Sequence, residues 1–174
     1  MTAPTRDGGW VYAVRDWVAA LAIGFAAYVA AEWITDREPV GDGDAPALLL
    51  DTPEGETVDL ESFRGSTVIV NFWGTWCPPC RREIPEFSAF ARKHPDVQVL
   101  GVAVRSGEGA NLRRESDKLG IAYTVLEGDE ASTRAWGVDV FPTTFVVDPH
   151  GHIAKVYAGA IGRAQLDAAL ASLH

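Results

Sequence analysis

The sequence predicts an α/β fold, a mixed β-sheet with helices on both faces, and three observations carry that reading. Thr67-Val68-Ile69-Val70-Asn71-Phe72 is a near-continuous apolar run rich in β-branched residues, as expected of a strand covered on both sides. Strand-like runs then alternate with helical patterns as far as Trp136. Last come two runs, Thr143–Val147 and Ile153–Ala158, joined by the turn Asp148-Pro149-His150-Gly151 and followed by Leu166, Leu170 and Leu173 at helical spacing.

A chain of 174 residues suits one domain plus an appendage. Its 47% hydrophobic content is ordinary for a globular protein, so disorder is not the default. The net charge of −9 and the lack of a Lys/Arg-rich block argue against nucleic acid as a partner, because phosphate neutralisation needs clustered cations.

The N-terminal stretch Trp17–Ala31 has no charge and no proline; Glu32 interrupts it and Trp33-Ile34 extends it. As a helix it would span about 24 Å. Arg6 and Arg15 precede it, whereas Asp36, Glu38, Asp42 and Asp44 follow. This asymmetry predicts a membrane anchor over residues 17–34, within a segment 1–36 that begins in the cytoplasm. The rest of the chain then lies on the extracytoplasmic, periplasmic side. A cleaved signal is the other reading, since Val29-Ala30-Ala31 resembles a small-residue cleavage site and cleavage would leave a secreted or periplasmic protein. In either case the domain meets a compartment in which disulfides persist.

Residues 37–46 read as an acidic, glycine-containing linker, and residues 47–174 as the domain. Ala47–Leu50 and Glu56–Val58 are expected as short strands about a turn containing Asp51, Pro53 and Gly55. Asp59 is positioned to cap a brief helix ending at Gly65. After the run at Thr67–Phe72, Ile84, Phe87, Phe90 and Ala91 mark one face of a helix. Val97–Val104 and Ala122–Leu126 read as strands, Gly109–Leu119 and Glu130–Trp136 as helices. Trp73 and Trp136 are expected in the core or a cleft wall.

The chain has two cysteines, Cys77 and Cys80. That is too few for a disulfide framework, and a bridge over so short a loop removes little unfolded-state entropy, so the pair reads as chemistry. The strand ending at Phe72 places Cys77 at the first turn of the next helix, where free N–H groups and the helix dipole stabilise a thiolate. Pro78 suits the first helical position. Cys77 is therefore expected to be exposed and nucleophilic, and Cys80, one turn further in, to resolve the mixed disulfide. Arg81 and Arg82 add positive charge nearby. Glu83 follows Cys80 by three residues, on about the same helix face. Two readings stand for it: an inward carboxyl able to take the Cys80 proton, or a solvated surface glutamate.

Other chemistries fit less well. A structural metal site built on this motif needs two further ligands, and His150 and His152 flank a turn where they read as solvated; no metal is expected. Copper delivery would want a wider cysteine spacing and a distant histidine. Peroxidase chemistry would want a threonine three residues before the reactive cysteine, where Gly74 stands; Thr75 is one place off. No cofactor is expected beyond a redox-active Cys77–Cys80 disulfide. Trp76, at the edge of the motif, is available to a partner protein.

The segment Asn71-Phe72-Trp73-Gly74-Thr75-Trp76-Cys77-Pro78-Pro79-Cys80-Arg81-Arg82-Glu83-Ile84-Pro85, together with Phe141-Pro142-Thr143-Thr144-Phe145, resembles the membrane-anchored thioredoxin-like proteins of the TlpA/ResA type. The resemblance covers about residues 45 to 174. It implies a thioredoxin-like core with an extra strand–helix insertion, supplied by Val97–Leu126. It implies that Pro142 is a cis-proline beside the cysteines that presents backbone to substrate, and that Pro85 kinks the active-site helix. Asn71 stands where cytosolic thioredoxin carries a buried aspartate, and Glu83 matches the family's acidic residue after the second cysteine, which favours its functional reading. One departure is the run Asp139-Val140-Phe141, where the family usually has a glycine two residues before the proline; a bulky Phe141 beside the cleft bears on substrate identity. The expected function is reduction of disulfides in client proteins such as apocytochrome c, with electrons from a membrane thiol donor. Pro78 and Pro79 offer no charge or side-chain donor between the cysteines, which favours a reductant. A thiol oxidase or isomerase, or a copper-delivery module, are the alternatives.

Overall fold

The computed structural model describes residues 43–173. The expected anchor at 17–34 and most of the expected linker lie outside them. Among the described residues, no helix is long and apolar enough to cross a membrane.

Two short strands, β1 (Leu49–Asp51) and β2 (Thr57–Asp59), form an antiparallel hairpin, followed by a 3₁₀ turn at Leu60–Phe63. Asp51, expected in the turn, is instead the last residue of β1: it pairs with Thr57, whose hydroxyl donates to its carboxylate at 2.6 Å. The turn itself is closed by Thr52, whose hydroxyl accepts from the N–H groups of Glu54 and Glu56.

The main sheet has five strands: β3 (Val68–Trp73), β4 (Gln98–Val104), β5 (Thr124–Gly128), β6 (Thr143–Val147) and β7 (Ile153–Ala158). Their order is β5-β4-β3-β6-β7, with β3, β4 and β5 parallel and β6 and β7 antiparallel to their neighbours. The helices are α1 (Pro78–Lys93), α2 (Gly109–Leu119), α3 (Glu130–Ala135) and α4 (Arg163–Ala171). This is the mixed sheet flanked by helices that the sequence predicts.

Strand parity sorts β3. Val68, Val70 and Phe72 face a core containing Leu100, Val102, Leu126, Phe145 and Trp136, closed by Leu48 and Leu60 from the hairpin side. Ile69 and Trp73 face the helices: Ile69 meets Phe87, Phe90 and Leu166, while Trp73 meets Cys77, Cys80, Ile84 and Leu112. The central strand is therefore buried along its whole length, and it ends against the turn that carries the cysteines.

Candidate active site

Helix α1 starts where it does because of four residues, Cys77 to Cys80. Cys77 is the N-cap, with extended backbone (φ −97°, ψ 106°), and its N–H donates to Gly74 O at 3.1 Å. Pro78 and Pro79 occupy the first helical positions, where the missing N–H costs no helical hydrogen bond. Cys80 N–H then donates to Cys77 Sγ at 3.3 Å, the cap interaction. The two sulfurs are bonded at 2.08 Å, with 5.3 Å between the Cα atoms.

The burial of the pair corrects one expectation. Cys77 is only 3% exposed, and Cys80 is fully buried. The side chains of the Trp76–Phe141 edge account for this: Phe141 packs on the cluster that holds both cysteines, and its ring meets Trp76 edge-on at 5.3 Å between centroids. Trp76 itself is 47% exposed, and Val140, two residues before Pro142, is 53% exposed. The Phe141–Pro142 peptide is cis. Pro142 O accepts from Gly159 N–H at 2.8 Å. The N–H and C=O of Phe141 take part in no turn, loop or side-chain hydrogen bond among the described residues. Backbone of the residue before the cis-proline is thus free at the edge of the site.

Glu83 points inward and is 3% exposed. It lies one helical turn beyond Cys80 on the buried face of α1. Asn71 Nδ2 donates to its Oε1 at 2.9 Å and to Thr144 Oγ1 at 3.0 Å; Ile161 N–H donates to its Oε2 at 3.1 Å. Both carboxylate oxygens thus accept from fixed donors. Burial nevertheless pushes the Glu83 pKa up to about 7, because desolvation outweighs the two hydrogen bonds that favour the anion.

The sheet builds the floor of this polar cluster in a single row. Asn71 pairs with Gly101 on β4 and with Thr144 on β6. A Cβ at Gly101 would lie 2.7 Å from the Tyr123 ring and 3.1 Å from Trp73 Nε1, so the missing side chain makes room for both aromatics. Pro85 lies inside α1, as the resemblance implies, and withholds one N–H from the helical ladder.

The motif loop is tied to the end of β4. Thr75 N–H donates to Ser106 Oγ at 2.9 Å, and Trp76 Nε1 donates to Val104 O at 3.0 Å. Nothing in the sequence reading singled out this segment. Its one signal was a polar Arg105-Ser106 directly after a buried parallel strand, where α/β sheets place ligand contacts. Sequence reasoning also left Thr144 and Ile161 unconnected to Glu83, since the β3–β6 register brings Thr144 to Asn71 and the loop after β7 brings in Ile161. His150 and His152 are exposed in the β6–β7 turn, with His152 Nε2 at 3.3 Å from Asp44 Oδ1. Trp73 and Trp136 are buried core residues, as expected.

Comparison with known proteins agrees with this geometry. The AhpC/TSA family model matches residues 41–156. The thiol-disulfide oxidoreductase ResA of Geobacillus thermodenitrificans is 33% identical over 158 residues, covering 87% of this chain and 88% of its own. ResA of Bacillus subtilis is 35% identical over 144 residues, or 80% and 79% of the two chains. Among solved structures, a thiol:disulfide interchange protein of the thioredoxin family from Chlorobium tepidum superimposes with a TM-score of 0.67 at 29% identity, covering 75% of this chain and 94% of that one. On these matches, and with its cysteine pair bonded at the start of a helix, this chain belongs to the AhpC/TSA family as a ResA-type thiol–disulfide oxidoreductase.

Proposed function

We propose that this oxidoreductase works as a reductant of client-protein disulfides on the extracytoplasmic side of the membrane, tethered by residues 17–34 and recharged by a membrane thiol donor. Residues 1–36 would form the anchor segment, 37–46 the linker and 47–174 the working domain. The charge asymmetry around the apolar stretch supports the orientation; release after signal cleavage is the alternative. Apocytochrome c is a fitting client on the TlpA/ResA resemblance. The working group is the cysteine pair itself, with no further cofactor or metal.

One observation carries the direction of transfer. At most helix starts several N–H groups converge on the cap. Here Pro78 and Pro79 have none, so Cys80 supplies the N–H that reaches Cys77 Sγ, at 3.3 Å. A cap with so few donors stabilises the thiolate weakly, and a couple whose reduced form is weakly stabilised is reducing.

The proposed reaction runs in two exchanges. In the reduced protein the Cys77 thiolate attacks one sulfur of a client disulfide, forming a Cys77–client bond as the client's S–S bond breaks. The departing client thiolate takes a proton from water. Cys80 then gives its proton to Glu83 and attacks Cys77 Sγ. This closes the Cys77–Cys80 bond as the Cys77–client bond breaks, and the departing second client thiolate takes up the proton held by Glu83, so that two electrons and two protons have passed to the client. Phe141, Pro142 and Trp76 form the surface on which the client lies, the free Phe141 backbone groups pairing with its chain.

The test is the reduction potential at neutral pH, equilibrated against a dithiol buffer of known potential. A value near thioredoxin's, about −270 mV, supports the reductant; a value near about −120 mV would assign the chain to thiol oxidation instead. Trapping with Cys80→Ser, which leaves the mixed disulfide at Cys77 unresolved, identifies the client.

A further inference from the structure

Arg105 is the one non-glycine residue with positive φ (51°) among the described residues, a conformation that L side chains rarely adopt. It sits at the end of β4, where two ties hold the backbone against the motif loop. Val104 O accepts from Trp76 Nε1 at 3.0 Å and from Ser106 Oγ at 3.0 Å, and Ser106 Oγ in turn accepts from Thr75 N–H. The result is that the Arg105 guanidinium lies over the Trp76 ring, 5.0 Å from its centroid. Phe141 meets the same indole edge-on, and Pro142 follows it. An arginine, a half-exposed tryptophan and the residue before the cis-proline therefore share one edge of the site.

The cation is uncommitted. Among the described residues Arg105 is in no ion pair and no side-chain hydrogen bond, although carboxylates line the crevice beside it. Three of those carboxylates are engaged elsewhere, Asp51 accepting from the Thr57 hydroxyl at 2.6 Å. Glu127 accepts from Gly109 N–H at 2.5 Å and Asp129 from Ser132 N–H at 2.7 Å. On a molecule of net charge −9, an exposed guanidinium over a half-exposed ring, outside any hydrogen bond or ion pair among the described residues, is placed to meet an anion from outside.

We infer that Arg105 selects clients by charge: it favours protein segments that carry an Asp or Glu beside the attacked cysteine, the carboxylate docking on the guanidinium while the neighbouring chain covers Trp76. The inference rests on the client-reduction reading and adds the class of client to it. The carboxylate gains both steering toward this edge of an acidic molecule and a planar, two-pronged contact once there.

The experiment measures single-turnover reduction of two oxidised peptides that differ only in Glu or Lys beside the attacked cysteine. Reduced wild type is expected to favour the Glu peptide by about tenfold at low salt, with the preference shrinking as ionic strength rises. Arg105→Glu should remove or invert that ratio. Arg105→Gly removes the charge and accommodates the positive φ, so it should abolish the preference without loss of stability. Arg92→Glu, the same charge change at the far end of α1, should leave the ratio as in wild type. An equal Glu/Lys ratio in wild type, a ratio untouched by Arg105→Glu, or the same change in Arg92→Glu overturns the inference. Should wild type reduce neither peptide, the client-reduction reading falls. The charge effect is then read from anionic dithiobis(nitrobenzoate) against cationic cystamine, and an unchanged rate ratio in Arg105→Glu again overturns it.

Discussion

On one side of β3, Val68, Val70 and Phe72 meet apolar neighbours throughout, and Phe72 packs against Trp136 and Phe145 at 5.7 and 5.9 Å between ring centroids. On the other side Ile69 and Trp73 bracket Asn71, and Asn71 with Thr144 and Ile161 holds a buried carboxyl one helical turn from Cys80. One strand thus presents a face built for stability and a face that accepts an electrostatic cost. Burying Glu83 disfavours its anion, and a fold selected only for stability would place an apolar residue there. The cost is concentrated in the row of the sheet that holds Asn71 and Thr144, beside the helix that carries the cysteines.

The two faces should respond differently to substitution. Phe72→Ala, on the apolar face, is expected to cost about 3–5 kcal/mol in denaturant unfolding, by lost transfer energy and a residual cavity. The pH dependence of thiol reactivity in the surviving folded protein should be unchanged. A shifted profile would mean that the two faces are not separable.

Glu83 gives the next largest effect, and its sign is fixed. The folded-state pKa, about 7, lies above the ordinary 4.5, so the folded state holds the proton more tightly than the unfolded chain. Stability linked to Glu83 is therefore full below pH 4.5 and is lost as pH rises through 7, a change of about 3 kcal/mol. Glu83→Gln should flatten that slope. Its amide cannot accept from both Asn71 and Ile161, so absolute stability need not rise; the slope, from unfolding curves at several pH values, is the quantity to compare. An unchanged slope would show that Glu83 does not titrate in this range.

Asn71→Ala removes a donor that favours the anion. It should cost about 1–3 kcal/mol and move the Glu83 titration to still higher pH, read by thiol reactivity. Thr144→Val, nearly isosteric, should cost about 1 kcal/mol, with a smaller shift in the same direction, because it only frees one Asn71 hydrogen. If Thr144→Val shifts the profile more than Asn71→Ala, the cluster is not organised through Asn71.

The apolar face was far more legible in the sequence than the polar one. The apolar residues of Thr67–Phe72 announce a buried strand by composition, and on the helix side the apolar pattern Ile84, Phe87, Phe90 announces burial by period; the structure has both where expected. Cys77, Cys80 and Pro142 were legible as motif residues. What stayed hidden depends on register or packing. Asn71 meets Thr144 and Glu83 only because β3 pairs with β6 in one register, and Ile161 reaches Glu83 from 78 residues away in the chain. Cys77 was expected to be exposed because a helix start usually is, but Phe141, sixty-four residues on, covers it. Asp51 read as a turn residue by type, whereas the hairpin register places it in the strand. Arg105 carried no local signal of its left-handed backbone, since arginine is seldom found there.

The pH dependence of Cys77 alkylation in the reduced protein, compared between wild type and Glu83→Gln, tests most directly whether the polar face governs the chemistry. Two groups that feel each other's charge titrate as a coupled pair, so wild type should show two inflections, one of them near pH 7. In Glu83→Gln a single thiol titration should remain, with disulfide exchange slowed near neutral pH and the domain still folded. Overlaid profiles for the two proteins would contradict the assignment of Glu83 as the proton acceptor for Cys80.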